Sequence, residues 1–260
     1  MSLVSPGSVI LITGATGGIG FEIAAQGAKD GAVIGVHGSR PETADAAIER
    51  LKERVPDGRF IAAPGDFRDE GVIEQVIGTV ASEGGRLDAL IHCATADPPK
   101  GVVANTAGPF ARTDYRHFPA VVGTLLGICQ QLAHVALPHL IESKGTFISF
   151  ASDAGRFAAP RQTIVGASFG GIMAFIRNLA MELARDGVRA HCISPSYVLD
   201  TPIFDRFSAA AGSRALKAQE RAGLGLPTPA DIAPMALFLC GPGATKITGQ
   251  VISINGGLHA

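Results

Sequence analysis

A single α/β domain, built on one doubly wound parallel sheet of about seven strands with helices on both faces, is the fold class this sequence predicts, and three observations predict it. Short runs of branched apolar residues recur along the chain, too brief for buried helices and suited to strands covered on both faces. Amphipathic stretches follow them, the order that produces β-α-β units. A length of 260 residues with 47% hydrophobic side chains buries one large core, so residues 1–260 need no second domain.

The first strand is Val9-Ile10-Leu11-Ile12, followed at once by Thr13-Gly14-Ala15-Thr16-Gly17-Gly18-Ile19-Gly20. Gly14 supplies a tight turn, Gly18 lets backbone approach a ligand, and Gly20 lets the helix over Phe21 to Lys29 lie close on the sheet. That helix aims its free amides and positive dipole end at the bend, where dinucleotide-binding folds hold a pyrophosphate. In a chain with 33 glycines the run also reads as a flexible loop, and its place between a buried strand and an amphipathic helix is what weighs against that. The pattern Gly14-x-x-x-Gly18-x-Gly20, preceded by Thr13, resembles the loop of the short-chain dehydrogenase/reductase family, a Rossmann-like fold.

Composition narrows the partners. A net charge of -1 without any polybasic block excludes a global field for nucleic acid or an anionic membrane. Cys93, Cys129, Cys192 and Cys240 are widely spaced, with no C-x-x-C pair and no histidine at zinc spacing, so they read as reduced core residues and no metal is expected. No lysine or arginine precedes Lys29, no run approaches ~18 uninterrupted apolar residues, and a cytoplasmic location is the expectation.

The second strand, Gly31 to Val36, ends at His37-Gly38-Ser39-Arg40, where the adenosine ribose sits in dinucleotide folds. No acidic residue stands there to repel a 2′-phosphate. Ser39 and Arg40 could contact one, which favours NADP over NAD; alternatively Arg40 only starts the next helix, with Pro41 as its first residue. The helix Pro41 to Val55 closes at Pro56-Asp57-Gly58, and Phe60 to Ala63 is the third strand. Asp66 matches the family position that accepts from the adenine amino group; it also reads as an N-cap for a helix beginning near Asp69.

Leu87 to His92 is the fourth strand. The family follows it with Asn-Asn-Ala-Gly, and this chain has His92-Cys93-Ala94-Thr95, so His92 or Thr95 must satisfy backbone groups in another way; a structural His92 is favoured over a catalytic one. Residues Asp97 to Arg116 read as loop with a short helix, and Phe118 to Ile141 as a core helix interrupted late by Pro138. Its Ala136-Leu137-Pro138-His139 phrase matches the family, but no asparagine lies between Asn105 and Asn178 to hold the family's proton-relay water.

The fifth strand, Gly145 to Ser152, resembles the one that delivers the family's catalytic serine, and Ser152 takes that position, although a strand-end serine is also a common turn residue. The family then places Tyr-x-x-x-Lys on a long helix, with serine immediately before the lysine. In Val165-Gly166-Ala167-Ser168-Phe169 the register set by Ser168 puts Val165 at the tyrosine and Phe169 at the lysine. The sixth strand, Gly187 to Ile193, leads into Ser194-Pro195-Ser196-Tyr197-Val198, against the nicotinamide face in family members. Residues 200–226 resemble a substrate lid, Pro229 to Cys240 is a helix, and Ile247 to Gly257 closes the sheet much as the family does.

The resemblance thus implies cofactor contacts at Gly14, Thr16, Gly18, Ile19, Gly20, Ser39, Arg40, Asp66, Ala94, Pro195 and Val198, with Ser152 and Tyr197 on the catalytic side. In the family the tyrosine is the proton donor and the lysine lowers its pKa and binds the nicotinamide ribose. Valine has no proton to give and phenylalanine no charge, and losing a general acid costs ~10²- to 10⁴-fold in rate. Two readings follow: an oxidoreductase whose proton comes from another group, Tyr197 being the better placed of the two tyrosines, or a redox-inactive homologue that binds cofactor or partner. The helix Val165 to Leu183 carries Gly166, Gly170, Gly171 and Ala174 among apolar residues and is apolar nearly all round, so a second chain is expected to cover one face, in a homodimer or homotetramer.

Overall fold

The branched runs become strands where parallel pairing hides both of their faces. The computed structural model describes residues 2–94, 108–209 and 214–259. Its strands are β1 (Val9–Thr13), β2 (Val33–Val36), β3 (Arg59–Ala62), β4 (Ala89–His92), β5 (Thr146–Phe150), β6 (Arg189–Pro195) and β7 (Val251–Ile254). They pair in parallel in the order β3-β2-β1-β4-β5-β6-β7. The order reverses between β1 and β4, and the crevice outside the carboxyl ends of those strands is where open α/β sheets bind ligands. Thr13 and His92 face each other across that point.

Two apolar layers cover the sheet. On one face β1, β2, β5 and β6 pack Ile10, Ile12, Ile34, Ile148 and Ile193 under α1 (Gly18–Lys29), α2 (Pro41–Arg54) and, from the far end of the chain, Ile232, Ala236 and Leu237 of the helix Pro229–Cys240. On the other, Leu11, Leu90 and Phe147 lie under α3 (Val72–Gly84) and two long helical stretches of the middle of the chain. The first of these is α4 (Phe118–Val122), one π turn (Gly123–Gly127) and α5 (Ile128–Ser143); the second is α6 (Thr163–Leu183). Residues 115–143 and 163–186 are long and apolar enough to cross a membrane by length and composition alone. Ile128, Leu132, Ile172 and Ile176 nevertheless sit in the core, against the sheet. After β6 come α7 (Pro202–Ser208) and α8 (Arg214–Arg221), then α9, the Pro229–Cys240 helix just described.

The structure departs from the sequence reading where side chains compete with simple periodicity. The helix read from Phe118 to Ile141 is not uniform: the wide turn at Gly123–Gly127 interrupts it, and the Thr124 hydroxyl donates to the Ala120 carbonyl at 2.7 Å there. Pro138 does not end it, because α5 continues to Ser143. Asp66 is not an N-cap. The helix after it begins at Val72 behind Gly71, which is left-handed at φ 75°, a conformation glycine takes at no steric cost. Gly166 and Gly170, read as subunit-packing residues, serve the chain itself: a Cβ on Gly166 would lie 2.6 Å from the Ala154 carbonyl oxygen, and one on Gly170 3.2 Å from that of Gly155. Thr95 and most of the Asp97 to Arg116 loop lie outside the described residues, whose remainder forms 3-10 turns at Phe110–Arg112 and Tyr115–His117. Residues 200–226, read as a lid, are helical at α7 and α8, with 210–213 outside the described residues.

Candidate dinucleotide and substrate site

The glycine spacing is dictated by contact. Gly14 is left-handed (φ 69°) and a Cβ there would meet the Ala94 backbone at 2.8 Å; one on Gly20 would lie 2.4 Å from the Gly14 carbonyl oxygen. Only glycine fits either place. Gly18 (φ 51°) faces the Thr201 methyl group, 3.6 Å from a Cβ position, so the loop after β6 closes over it. Gly17 precedes α1 with no side-chain cap, no acidic residue stands in the first turn, and space opens around Gly17. The amides of Gly18, Ile19 and Gly20 therefore point as a positively polarised end into open space, which suits a pyrophosphate.

Two buried histidines anchor the strand before this bend. His92 Nδ1 lies 2.8 Å from the Thr13 hydroxyl, which also accepts from the Ala94 N–H at 3.2 Å. His92 thus pairs with the end of β1 through a side-chain hydroxyl and not, as the sequence reading had it, through backbone groups. His37, at the end of β2, accepts from the Gly14 N–H at 3.2 Å through Nδ1, while Nε2 donates to the Gly65 carbonyl at 2.9 Å. Its ring stacks on Phe67 with centroids 4.1 Å apart. Burial pushes His37 down to about 4 and His92 to about 3, so both rings are neutral.

After β2, at the residues expected to meet the adenosine, Ser39 and Arg40 are exposed. Arg40 stands at the N-cap position of α2 with Pro41 behind it, and no side-chain cap bond ties it there. The Asp66 carboxylate is engaged by the Arg68 guanidinium, which holds its pKa below the usual carboxylate range. Thr16 is half-buried, and its carbonyl accepts from Arg50 at 3.3 Å.

Ser152 follows β5, and its hydroxyl accepts from the Ala154 N–H at 3.3 Å, capping the turn Asp153–Gly155. Turn and α6 touch backbone to backbone. A Cβ on Gly155 would lie 2.6 Å from the Phe169 carbonyl carbon and 2.8 Å from Phe169 Cβ, which places Phe169 beside the Ser152 turn. Ser168 is buried and donates to the Ile164 carbonyl at 3.0 Å. Val165 and Phe169 are half-buried hydrocarbon. Tyr197 packs on Ala218, Ala222, Leu226 and Leu258, and burial raises its phenol while Arg214 opposes that. Pro195 and Val198 are buried in the same loop, and the Thr201 hydroxyl ties it by donating to the Val198 carbonyl at 2.8 Å.

Sequence reasoning passed over one group. The Asp153 carboxylate, 2% exposed, accepts from the Ser194 hydroxyl at 2.6 Å, the Ser253 hydroxyl at 2.7 Å and the Asn255 amide at 2.6 Å. Asn255 also donates to the His259 carbonyl at 2.9 Å and accepts from the Gly257 N–H at 2.9 Å. One buried charge thus ties the carboxyl ends of β5, β6 and β7 with neutral donors. The available signal was small polar residues recurring at successive strand ends.

Fold, switch point and glycine cradle together define a dinucleotide-binding α/β protein. The family profile described as "Enoyl-(Acyl carrier protein) reductase" matches residues 14–259. The chain is 28% identical over 250 residues to the 3-oxoacyl-(acyl-carrier-protein) reductase of Chlamydia trachomatis serovar D, covering 95% of this chain and 96% of that one. It is 30% identical over 255 residues to the L-fucose dehydrogenase of Rattus norvegicus, covering 96% and 89%. A crystal structure of a dehydrogenase/reductase from Sinorhizobium meliloti 1021 superposes with a TM-score of 0.87 at 26% identity, over 100% of this chain and 98% of that one. The protein belongs to the short-chain dehydrogenase/reductase family of oxidoreductases.

Proposed function

We propose that this chain binds NADP and is an atypical oxidoreductase of a small carbonyl or alcohol substrate. The observation that carries the reading is the contrast between its two ends. The cofactor cradle keeps every glycine that contact requires and an uncapped helix terminus, while α6 offers Val165 and Phe169 to the substrate end. The nicotinamide, when bound, supplies or takes the hydride. The chain's own residues do the rest. Gly18, Ile19 and Gly20 hold the pyrophosphate with backbone amides, Ser39 and Arg40 receive the 2′-phosphate, Asp66 marks the adenine end, and Ala94, Pro195 and Val198 wall the path to the nicotinamide. Ser152 accepts from Ala154 and keeps its own proton to donate to a substrate oxygen. Val165 and Phe169 exclude water there without moving a proton. Tyr197, its phenol raised by burial, is the remaining candidate donor.

The assembly reading is a homodimer or homotetramer in the cytoplasm. Met181 on α6 is 78% exposed, and Val122 and Ile141 also reach solvent, which supports a second copy over that side. The test is an NADPH fluorescence titration followed by a broad carbonyl panel. Binding with turnover, lost in Ser152→Ala, supports the oxidoreductase; Arg40→Ala should weaken NADPH but not NADH. A second reading, a redox-inactive homologue, is favoured by the hydrocarbon at Val165 and Phe169, and NADPH binding without any oxidation would establish it in place of the first. No NADPH binding would remove the oxidoreductase reading and mean that the glycine loop is a relic.

A further inference from the structure

Thr13 and Gly14 open the loop that the proposed function assigns to the cofactor pyrophosphate, and each meets Nδ1 of a different buried histidine: the Thr13 hydroxyl shares a hydrogen bond of 2.8 Å with His92, and the Gly14 N–H donates at 3.2 Å to His37. The two rings arrive from opposite sides of β1, at the ends of its neighbours β4 and β2. His37 does more than support one residue. Its Nε2–H is committed to the Gly65 carbonyl at 2.9 Å, which forces Nδ1 to be the acceptor, and its ring lies flat on Phe67 with an interplanar angle of 4°. The imidazole therefore spans the gap between the glycine turn and the segment Gly65 to Phe67, the pyrophosphate end and the adenine end of one crevice.

We infer that His37 is a positioning residue of the dinucleotide site, a neutral strut that fixes the Gly14 turn against the adenine-side segment, with His92 as its counterpart on Thr13. This rests on the cofactor reading for its ligand, but not for its geometry. Gly14 needs such a fixture: it is left-handed, and glycine is the residue with most backbone freedom to lose on ordering. A strut also explains why a polar ring is buried at the end of β2 when the ribose contact falls to the next residues. The charged and titratable groups that face His37 are Asp66, already paired with Arg68, and His92. The arrangement admits one protonation state only, since a proton on Nδ1 would set a donor against the Gly14 N–H.

Two substitutions separate the two halves of the strut. An asparagine oxygen falls near the place of Nδ1 and a glutamine nitrogen near that of Nε2, so His37→Asn keeps the Gly14 contact and His37→Gln keeps the Gly65 contact. NADPH fluorescence at pH 7.5 should give His37→Asn a Kd within about twofold of the parent and His37→Gln a Kd weaker by about fivefold, the loss of one neutral hydrogen bond. Amide exchange of the cofactor-free protein over residues 9–20 should quicken in the glutamine variant alone. Equal effects of the two variants in either measurement, or none from His37→Gln, would overturn the strut. If the parent takes up no NADPH, the exchange contrast still decides the strut and only the cofactor reading falls. Should a variant not fold, ring ¹⁵N shifts of the parent at pH 7 decide: unprotonated Nδ1 is required, and an Nδ1–H tautomer contradicts it.

Discussion

Acid should unfold this protein well before its carboxylates are protonated. Burial is the main cause that pushes His37 to about 4, His92 to about 3 and His191 to about 4, from an ordinary value of 6.5. For each, the folded value lies below the unfolded one, so the unfolded chain takes up the proton first. Stability is then complete well above pH 6.5 and is lost as the pH falls below it. A histidine at 6.5 unfolded and about 4 folded gives up about 2 kcal/mol by pH 5, and three such groups roughly 6 kcal/mol, against about 5–15 kcal/mol for a whole domain. Glu22, Asp66 and Asp231, held low chiefly by Arg54, Arg68 and the Thr228 amide, act with the same sign, but only as the pH falls through the carboxylate range. Between pH 7.5 and 5.0 the histidines dominate. Urea unfolding followed by far-ultraviolet circular dichroism suits a chain without tryptophan. Coincident midpoints at pH 7.5 and 5.0, or a higher one at pH 5.0, would refute the reasoning.

Asp153→Ala strands three buried or half-buried donors, from Ser194, Ser253 and Asn255, and should lower the unfolding free energy by about 3–5 kcal/mol; a loss under about 1 kcal/mol would mean the carboxylate ties nothing. Gly20→Ala drives a methyl group to 2.4 Å from the Gly14 carbonyl, so NADPH affinity should fall at least about tenfold while circular dichroism keeps its helical signal, and unchanged affinity would show that the loop shifts freely. Val165→Tyr combined with Phe169→Lys restores a phenol and an ammonium one helical turn apart. Carbonyl turnover should then rise by ~10²- to 10⁴-fold, and a double variant that folds and binds NADPH without any rise would unseat the register taken from Ser168.

The parallel sheet and its strands were legible because each strand is a branched apolar run and each crossover a stretch of helical spacing; the strand order was not. The glycine turn was legible because contact leaves no other residue at Gly14 or Gly20. His92 stood out because the family's asparagine was visibly missing, and the structure buries it against Thr13. What stayed hidden depends on contacts distant in sequence. Gly166 and Gly170 look alike whether they face a second chain or the Ser152 turn, and only the fold shows the turn. His37 gives no hint in its own neighbourhood that its partners are Gly14 and Gly65, 23 and 28 residues away. Tyr197 sits beside Pro195 in the chain, yet its ring packs on Ala218, Ala222, Leu226 and Leu258.

The tie at Asp153 has a consequence for the order of assembly. Its acceptor is synthesised about a hundred residues before the donors on Ser253 and Asn255, and such distant closures come late in folding. Until β7 arrives, the Asp153 carboxyl lacks two of its three hydrogen-bond donors. The glycine turn, whose packing partners His92 and Ala94 follow within about eighty residues, can therefore set before the serine turn, which waits for the final strand.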